Sequence, residues 1–130
     1  MEMHQARYGR ATILAPTGRI DHSTSDEFRS LLEPHVDAAA AQSRPVVLDL
    51  SGVEYISSAG LRCFMLAAKR AKSGGSAMVV AGLQPVVREI FEISRFTLVF
   101  DMFSSVRDAL AGVDPAAVAA FDRDNPLRPA

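Results

Sequence analysis

The sequence predicts one α/β domain, with a mixed, mostly parallel sheet of four to five strands, about four helices packed on it, and an N-terminal β-hairpin. Three observations support this fold class. The chain has 130 residues, which suits a single compact domain. Hydrophobic residues make up 48% of the chain, enough to bury a core without disulfides or metal. After two strand-like segments, helical and strand-like segments alternate, which is typical of helices packed on a parallel sheet.

The chain begins with the predicted hairpin. Residues 3–8 and 11–15 have the composition of strands, and Gly9-Arg10 between them is typical of a turn. Pro16-Thr17-Gly18 then interrupts the extended pattern. The antiparallel pair makes the otherwise parallel sheet mixed.

The first helix is predicted to begin near Ser23. Ser23 followed by Asp26 is a variant of the capping-box spacing, with Asp in place of the usual Glu. Apolar residues then recur at helical spacing from Phe28 to Ala39. Pro34 lies within this stretch and has no amide hydrogen, so we expect it to kink or divide the helix.

Strands and helices alternate in the rest of the domain. Short apolar runs predict buried strands, and apolar residues at helical spacing predict the helices between them. The predicted strands are residues 46–50, 77–81 and 98–103, and residues 53–56 are predicted to form a short extended segment. The predicted helices open at Ser57-Ser58, at Pro85 and at Ser104 or Ser105.

The domain is expected to end soon after the last of these helices. We place it at residues 1–111. Residues 112–130 are rich in Ala, Asp and Pro, and we expect them to form a weakly structured C-terminal tail with one helical turn near Val118.

Composition argues against several functional classes. The formal net charge of −1 is unlike the basic balance of a nucleic-acid binder, so we expect no direct nucleic-acid partner. The three histidines lack the spacing of metal ligands. No nucleophile, base and orienting group come together in the sequence. We therefore expect no metal, no cofactor and no enzymatic activity.

The predicted location is the cytoplasm. No apolar run approaches the roughly 20 residues that a membrane-spanning helix needs, and the N-terminal residues are polar, so no membrane insertion is expected. Cys63 is the one cysteine, which fits a reducing compartment. It lies in an apolar helical stretch, and we expect it to pack in the core.

The most informative stretch delivers two serines, Ser57 and Ser58, to the start of a helix. A helix N-terminus has unpaired backbone N–H groups and the positive end of the helix dipole, so it accommodates a phosphate group well. Serine is also a preferred N-cap residue, worth about 1 kcal/mol over alanine. Spacing alone therefore favours plain capping over a regulatory site.

The sequence resembles the STAS domain family, and within it the free-standing bacterial anti-sigma factor antagonists. In that family an apolar strand and a polar turn lead to Asp-Ser-Ser/Thr-Gly-Leu at the start of a helix. The matching segments here are Gly18-Arg19-Ile20-Asp21, the strand Val46-Val47-Leu48-Asp49-Leu50, Ser57-Ser58-Ala59-Gly60-Leu61 and Ser105-Val106-Arg107-Asp108-Ala109-Leu110. The resemblance covers roughly residues 2–111.

The resemblance implies a partner-switching function. An antagonist of this kind binds an anti-sigma factor that is also a serine kinase, and binding releases the sigma factor. Phosphorylation by the kinase weakens the complex, and a serine phosphatase restores it. The motif puts the phosphorylated residue at Ser58, with Ser57 as a second candidate. The partner-binding residues implied are Asp21, His22, Ser57, Ser58, Ala59, Gly60 and Arg62.

Two departures from the family pattern leave a second function open. Ser57 stands where the family usually has Asp, and Ala59 stands where it has a second Ser or Thr. Related STAS domains with altered motifs act as docking subunits of membrane transporters or as signalling scaffolds, without phosphorylation. Retention of Ser58 and Gly60 favours the antagonist, and co-purification of a kinase-like anti-sigma factor or of a transporter ATPase would distinguish the two functions.

Overall fold

The computed structural model describes residues 1–126. Within them the chain forms seven strands, five α-helices and two short 3₁₀ turns. The strands are β1 (Met3–Tyr8), β2 (Ala11–Pro16), β3 (Gly18–Ile20), β4 (Val46–Asp49), β5 (Val53–Ile56), β6 (Met78–Ala81) and β7 (Met102–Phe103). The helices are α1 (Ser25–Ala41), α2 (Ser58–Ser73), α3 (Pro85–Ile93), α4 (Val106–Val113) and α5 (Val118–Asp124), and the 3₁₀ turns are Phe96–Leu98 and Pro115–Ala117.

The main sheet has five strands in the order β1-β2-β4-β6-β7. The β1–β2 hairpin is antiparallel, and the other three pairings are parallel. The predicted fold class, a mixed and mostly parallel sheet with an N-terminal hairpin and helices packed on it, is therefore confirmed.

The sheet separates two hydrophobic clusters, because successive strand residues point to opposite faces. On β4, Leu48 belongs to the larger cluster with residues of α1, α2 and α3, and Val47 belongs to the smaller cluster with residues of α4. The larger cluster contains a chain of aromatic contacts. Its ring-centroid distances are 5.1 Å for Phe28–Phe64, 6.0 Å for Phe64–Phe91 and 5.6 Å for Phe91–Phe96.

A second, two-stranded sheet lies beside the main one. Strands β3 and β5 pair in parallel, with Ile20 opposite Ile56. Both side chains are buried. This pair brings the end of β3 next to the start of α2 and so positions the candidate site. The extended segment at 53–56 is confirmed, but β3 was not predicted because a strand of three residues has too little pattern to detect.

The predicted strand at residues 98–103 is wrong over most of its length. A 3₁₀ turn occupies Phe96–Leu98, and only Met102–Phe103 pairs with β6. The Phe100 amide donates to the Phe96 carbonyl, so the two rings lie on one side and pack together. Leu98 is left 81% exposed, so it is not part of a buried strand.

Helix α1 differs from its prediction at two points. It runs through Pro34 without interruption, because Leu32 and Val36 on either side of the proline are buried and Pro34 itself is exposed. The helix also begins later than predicted. Its N-cap is Thr24, and Ser23 belongs to the preceding turn.

The segment after Gly112 differs from the weakly structured tail that was expected. Ala117 is fully buried, and α5 extends the predicted single turn to seven residues. The ring of Phe121 packs edge-on against Tyr8 at 5.3 Å, and Asp122 forms an ion pair with Arg107. The last four residues of the predicted tail, 127–130, lie outside the described residues. Within residues 1–126, no helix combines the length and apolarity required to cross a membrane.

Candidate functional site

The two serines at the start of α2 occupy different environments. Ser57 is the half-buried N-cap, and its hydroxyl accepts a hydrogen bond from the Gly60 amide at 3.3 Å. Its own amide donates to the Ile20 carbonyl at 2.8 Å. Ser58 is the first helical residue and is exposed, and its hydroxyl makes no hydrogen bond to any part of residues 1–126. Ser57 is therefore structurally engaged, and Ser58 is chemically accessible.

The first turn of α2 suits an anionic group. It contains no acidic residue, so nothing on the helix itself offsets the positive end of the dipole. The amides of Ser58 and Ala59 precede the first residue whose N–H bonds along the helix, Leu61, which donates to Ser57. A phosphate on Ser58 would lie beside these amides.

Gly60 lies on the inner side of α2 and is buried. A Cβ at this position would come within 2.8 Å of the Ile20 Cγ2 atom and 2.9 Å of the Ile56 Cγ2 atom. The glycine thus lets the helix pack closely on β3 and β5. Gly60 was expected among the partner-binding residues, and the side of it that would carry a Cβ faces the interior.

Asp21 follows β3 directly and is held within a tight loop. Its carboxylate accepts hydrogen bonds from the Ser23 hydroxyl at 2.7 Å and from the Ser23 amide at 2.9 Å. These two bonds hold the pKa of Asp21 below its usual value, because they stabilise the charged form. The Asp21 amide donates to the Thr24 hydroxyl, whose hydrogen bonds to the Arg19 carbonyl. Asp21 is therefore charged and fixed in position at neutral pH.

The structure brings some of the predicted partner-binding residues together. Asp21 follows Ile20, whose carbonyl binds the Ser57 amide, so the Asp21 loop adjoins the start of α2. His22 is exposed in that loop, and Arg62 is exposed on α2. Ala59 is half-buried, and Gly60 is the one member of the predicted set that points inward.

Residues 3–109 match the family profile described as the STAS domain. This range is more than half of the chain. The chain belongs to the STAS domain family. The resemblance noted in the sequence is therefore confirmed, and the segment from Ser57 to Leu61 lies within the matched region.

Individual STAS proteins resemble the chain over most of its length. A candidate anti-sigma factor antagonist of Bordetella bronchiseptica, BtrV, is 37% identical over 99 residues, which are 76% of this chain and 83% of that protein. A crystal structure of a candidate anti-sigma factor antagonist from Thermotoga maritima superposes with a TM-score of 0.77 at 16% identity, over 85% of this chain and 93% of that one.

A third comparison extends the agreement in fold. The Bacillus cell fate determinant SpoIIAA, solved in its phosphorylated form, superposes with a TM-score of 0.63 at 14% identity, over 86% of this chain and 99% of that one. The two structural likenesses establish the STAS fold, and the Bordetella relative adds a likeness at 37% sequence identity.

The sequence analysis did not identify the residues that hold the Asp21 loop in place. Ser23 and Thr24 both bond to Asp21, and the Arg19 guanidinium lies 4.5 Å from the Tyr55 ring centroid across the β3–β5 pair. The available signal was Asp followed two residues later by Ser, the pattern of a turn in which the carboxylate bonds the backbone ahead. That turn competed with the capping-box interpretation of Ser23.

Cys63 lies on α2 near this loop and is half-buried. Burial raises the pKa of its thiol above the usual value, so the thiol stays protonated at neutral pH. Its Sγ atom contacts the Ser25 carbonyl at 3.6 Å. These features agree with a packing role for the cysteine.

Proposed function

We propose that the protein is an anti-sigma factor antagonist that binds an anti-sigma factor with serine kinase activity and thereby releases a sigma factor. The Bordetella relative, 37% identical over 76% of this chain and described as a candidate antagonist, supports this function over transporter docking. In this proposal the protein acts by binding its partner, has no catalytic group of its own, and acts in the cytoplasm.

The observation that carries the proposed switch is the environment of Ser58. Its hydroxyl is exposed at the first residue of α2, beside backbone amides that can receive a phosphate. Ser57 is a poorer acceptor for a kinase, because its hydroxyl caps the helix and its amide is bonded to Ile20. We assign phosphorylation to Ser58. The kinase would transfer the γ-phosphoryl group of ATP to the Ser58 hydroxyl oxygen and release ADP.

Phosphorylation would weaken binding through charge on the contact surface. A phosphoserine carries roughly −1.5 to −2 charges at neutral pH. The Asp21 loop adjoins Ser57, so this charge would add to a surface that already holds a fixed carboxylate. Desolvating that charge against a partner costs binding free energy, and a loss of about 2 kcal/mol lowers affinity about thirtyfold. A serine phosphatase would restore the binding-competent form.

The proposed contact surface consists of the Asp21 loop and the start of α2. It includes the exposed side chains of His22, Ser58 and Arg62 together with the half-buried Ala59. Gly60 contributes by setting how closely α2 lies on β3 and β5, and not by direct contact.

Affinity capture from a soluble extract of the host tests the proposed partner. The native chain is compared with Ser58→Asp and with Ser104→Asp, since Ser104 is also exposed and also lies next to a serine helix cap. We expect the native chain and Ser104→Asp to retain a protein that binds ATP and phosphorylates the native chain on serine. We expect Ser58→Asp to retain about thirtyfold less of it.

Two outcomes would reject the proposal. Capture of the same kinase in equal amounts by all three baits would show that a negative charge at Ser58 does not control binding. Capture of a transporter ATPase in place of a kinase, unaffected by Ser58→Asp, would instead support the docking-subunit function. Urea unfolding of each variant checks that lost capture does not reflect lost folding.

A further inference from the structure

A cavity of about 250 Å³, lined by both polar and apolar residues, lies between the hairpin and the C-terminal half of α1 and includes no residue of the Ser58 site. Antiparallel pairing sets Arg7 of β1 opposite Thr12 of β2, so both side chains lie on the same face of the sheet. Positions 35, 38 and 39 of α1 and its C-cap at position 42 line the cavity, and this spacing places them on one face of the helix. The principal polar lining residues are Gln5, Arg7, Thr12, His35, Gln42 and Arg44.

The lining of this cavity favours an anion. It contains two arginines and no acidic residue. Within residues 1–126, neither Arg7 nor Arg44 forms an ion pair. The Nε atom of Arg44 is buried and has no hydrogen-bond partner there. A buried donor of this kind is costly when unsatisfied, so the Nε–H group of Arg44 points to an absent acceptor.

The C-terminus of α1 also faces this region and carries a partial negative charge of about −0.5. Arg10 offsets that partial charge, because its Nη2 atom donates a hydrogen bond to the carbonyl of Gln42, the C-cap of α1, at 3.1 Å. Asp37, an acid in the C-terminal half of α1, is paired with Arg70 at 3.0 Å. Arg7 and Arg44 therefore remain available for a ligand.

We propose that this cavity, lined by Arg7, Arg44, His35 and Gln42, is a binding site for a small oxyanion of the phosphate class, either free or as a small phosphate monoester. Arginine guanidinium groups bind tetrahedral oxyanions through paired, charge-assisted hydrogen bonds. The glutamine amides and the Thr12 hydroxyl supply further donors. This site is separate from the proposed switch and does not depend on it.

Titration with inorganic phosphate, followed by two-dimensional amide NMR, tests the site. Sodium chloride at matched ionic strength serves as the reference. We expect saturable shifts confined to the amides of Arg7, Thr12, Gln42 and Arg44. Arg7→Gln and Arg44→Gln should each weaken binding at least about tenfold, because each removes a charge-assisted hydrogen bond. Arg123→Gln, an exposed arginine of α5, should leave binding unchanged.

Arg7 is exposed on the edge strand, so Arg7→Gln keeps the test independent of folding even if Arg44→Gln unfolds. Shifts that fail to saturate, that spread over the surface or that persist in Arg7→Gln would overturn the proposal. Repeating the titration with glycerol 3-phosphate distinguishes a site for free phosphate from a site for a phosphate monoester. Tighter binding than inorganic phosphate assigns the site to a monoester, and equal or weaker binding assigns it to the free anion.

Discussion

Two helices of this protein begin in nearly the same way and differ in what surrounds the cap. Helices α2 and α4 each follow a parallel strand, and a pair of adjacent serines lies at the start of each. In each, one serine is the N-cap. The Ser57 hydroxyl accepts from the Gly60 amide at 3.3 Å, and the Ser105 hydroxyl accepts from the Asp108 amide at 3.1 Å.

The second serine of each pair is placed differently. At α2 it is Ser58, which follows the cap and lies in the first turn. At α4 it is Ser104, which precedes the cap and lies outside the helix. The first turn of α4 already contains an acid, Asp108, whereas that of α2 contains none. A phosphate is therefore better accommodated at Ser58 than at Ser104.

The comparison shows that capping serines alone do not identify a switch. What distinguishes α2 is an exposed hydroxyl within the first turn, no competing acid, and a glycine that holds the helix against β3 and β5. Each of these differences can be tested separately, and the expected effects follow in decreasing order of size.

Gly60→Ala should produce the largest change in stability. In an exposed helix interior, replacing Gly by Ala stabilises by up to about 1 kcal/mol. Here the added methyl group would meet the Ile20 and Ile56 side chains at under 3.0 Å, so we expect destabilisation by about 1–3 kcal/mol instead. Urea unfolding measures the difference, with Ser58→Ala as a control that should change the free energy of unfolding by less than about 0.5 kcal/mol. A more stable Gly60→Ala variant would contradict the described packing.

Ser57→Ala and Ser105→Ala should have smaller and similar effects. Each removes a side-chain acceptor from a helix N-cap, which costs about 1 kcal/mol. Ser58→Ala and Ser104→Ala serve as the neighbouring controls, since neither hydroxyl caps its helix. If Ser58→Ala cost as much as Ser57→Ala in thermal or urea unfolding, the assignment of the cap to Ser57 would be wrong.

The Asp21 loop gives the smallest effect, a shift in one pKa. Ser23→Ala removes the shorter of the two Ser23 hydrogen bonds, so the pKa of Asp21 should rise toward the ordinary value of about 3.9. Because the pKa of Asp21 is lowered in the native chain, the hydrogen-bonded carboxylate stabilises the fold at pH values above the ordinary pKa of an aspartate. This contribution is lost as pH falls through the lower folded pKa. Carbon NMR titration of the Asp21 carboxyl measures the shift.

Ser30→Ala, at an exposed position on α1, is the matched control for that titration and should leave the pKa of Asp21 unchanged. An unchanged pKa in Ser23→Ala as well would show that the Ser23 hydroxyl does not determine the charge state of the loop.

The sequence predicted the segments whose burial follows a simple period. Strands β2, β4 and β6 were predictable because each contains a distinctive apolar run, and β1 followed from the Gly9-Arg10 turn that joins it to β2. The conformation of residues 98–103 was not predictable from the sequence, because the apolar residues in and just before this segment differ in burial. Phe96 and Phe100 are buried in the aromatic cluster, and Leu98 is exposed, and composition alone does not separate these cases.

Within the candidate site, Ser57 and Ser58 could be placed at a helix start from the sequence, but their separate environments could not. Which serine caps the helix depends on the β3–β5 pair, since the Ile20 carbonyl binds the Ser57 amide across it. The inward position of Gly60 depends on the same pair. Both are long-range contacts that a local pattern does not contain.

Phosphopeptide mapping by mass spectrometry tests the central difference between the two helix starts. Native protein, Ser58→Ala and Ser104→Ala are each incubated with ATP and a soluble extract of the host that phosphorylates a control antagonist. The account predicts phosphate on Ser58 in the native chain and in Ser104→Ala, and none at this site in Ser58→Ala. Phosphate on Ser57 or Ser104 in place of Ser58, or no phosphate on either Ser57 or Ser58, would contradict it.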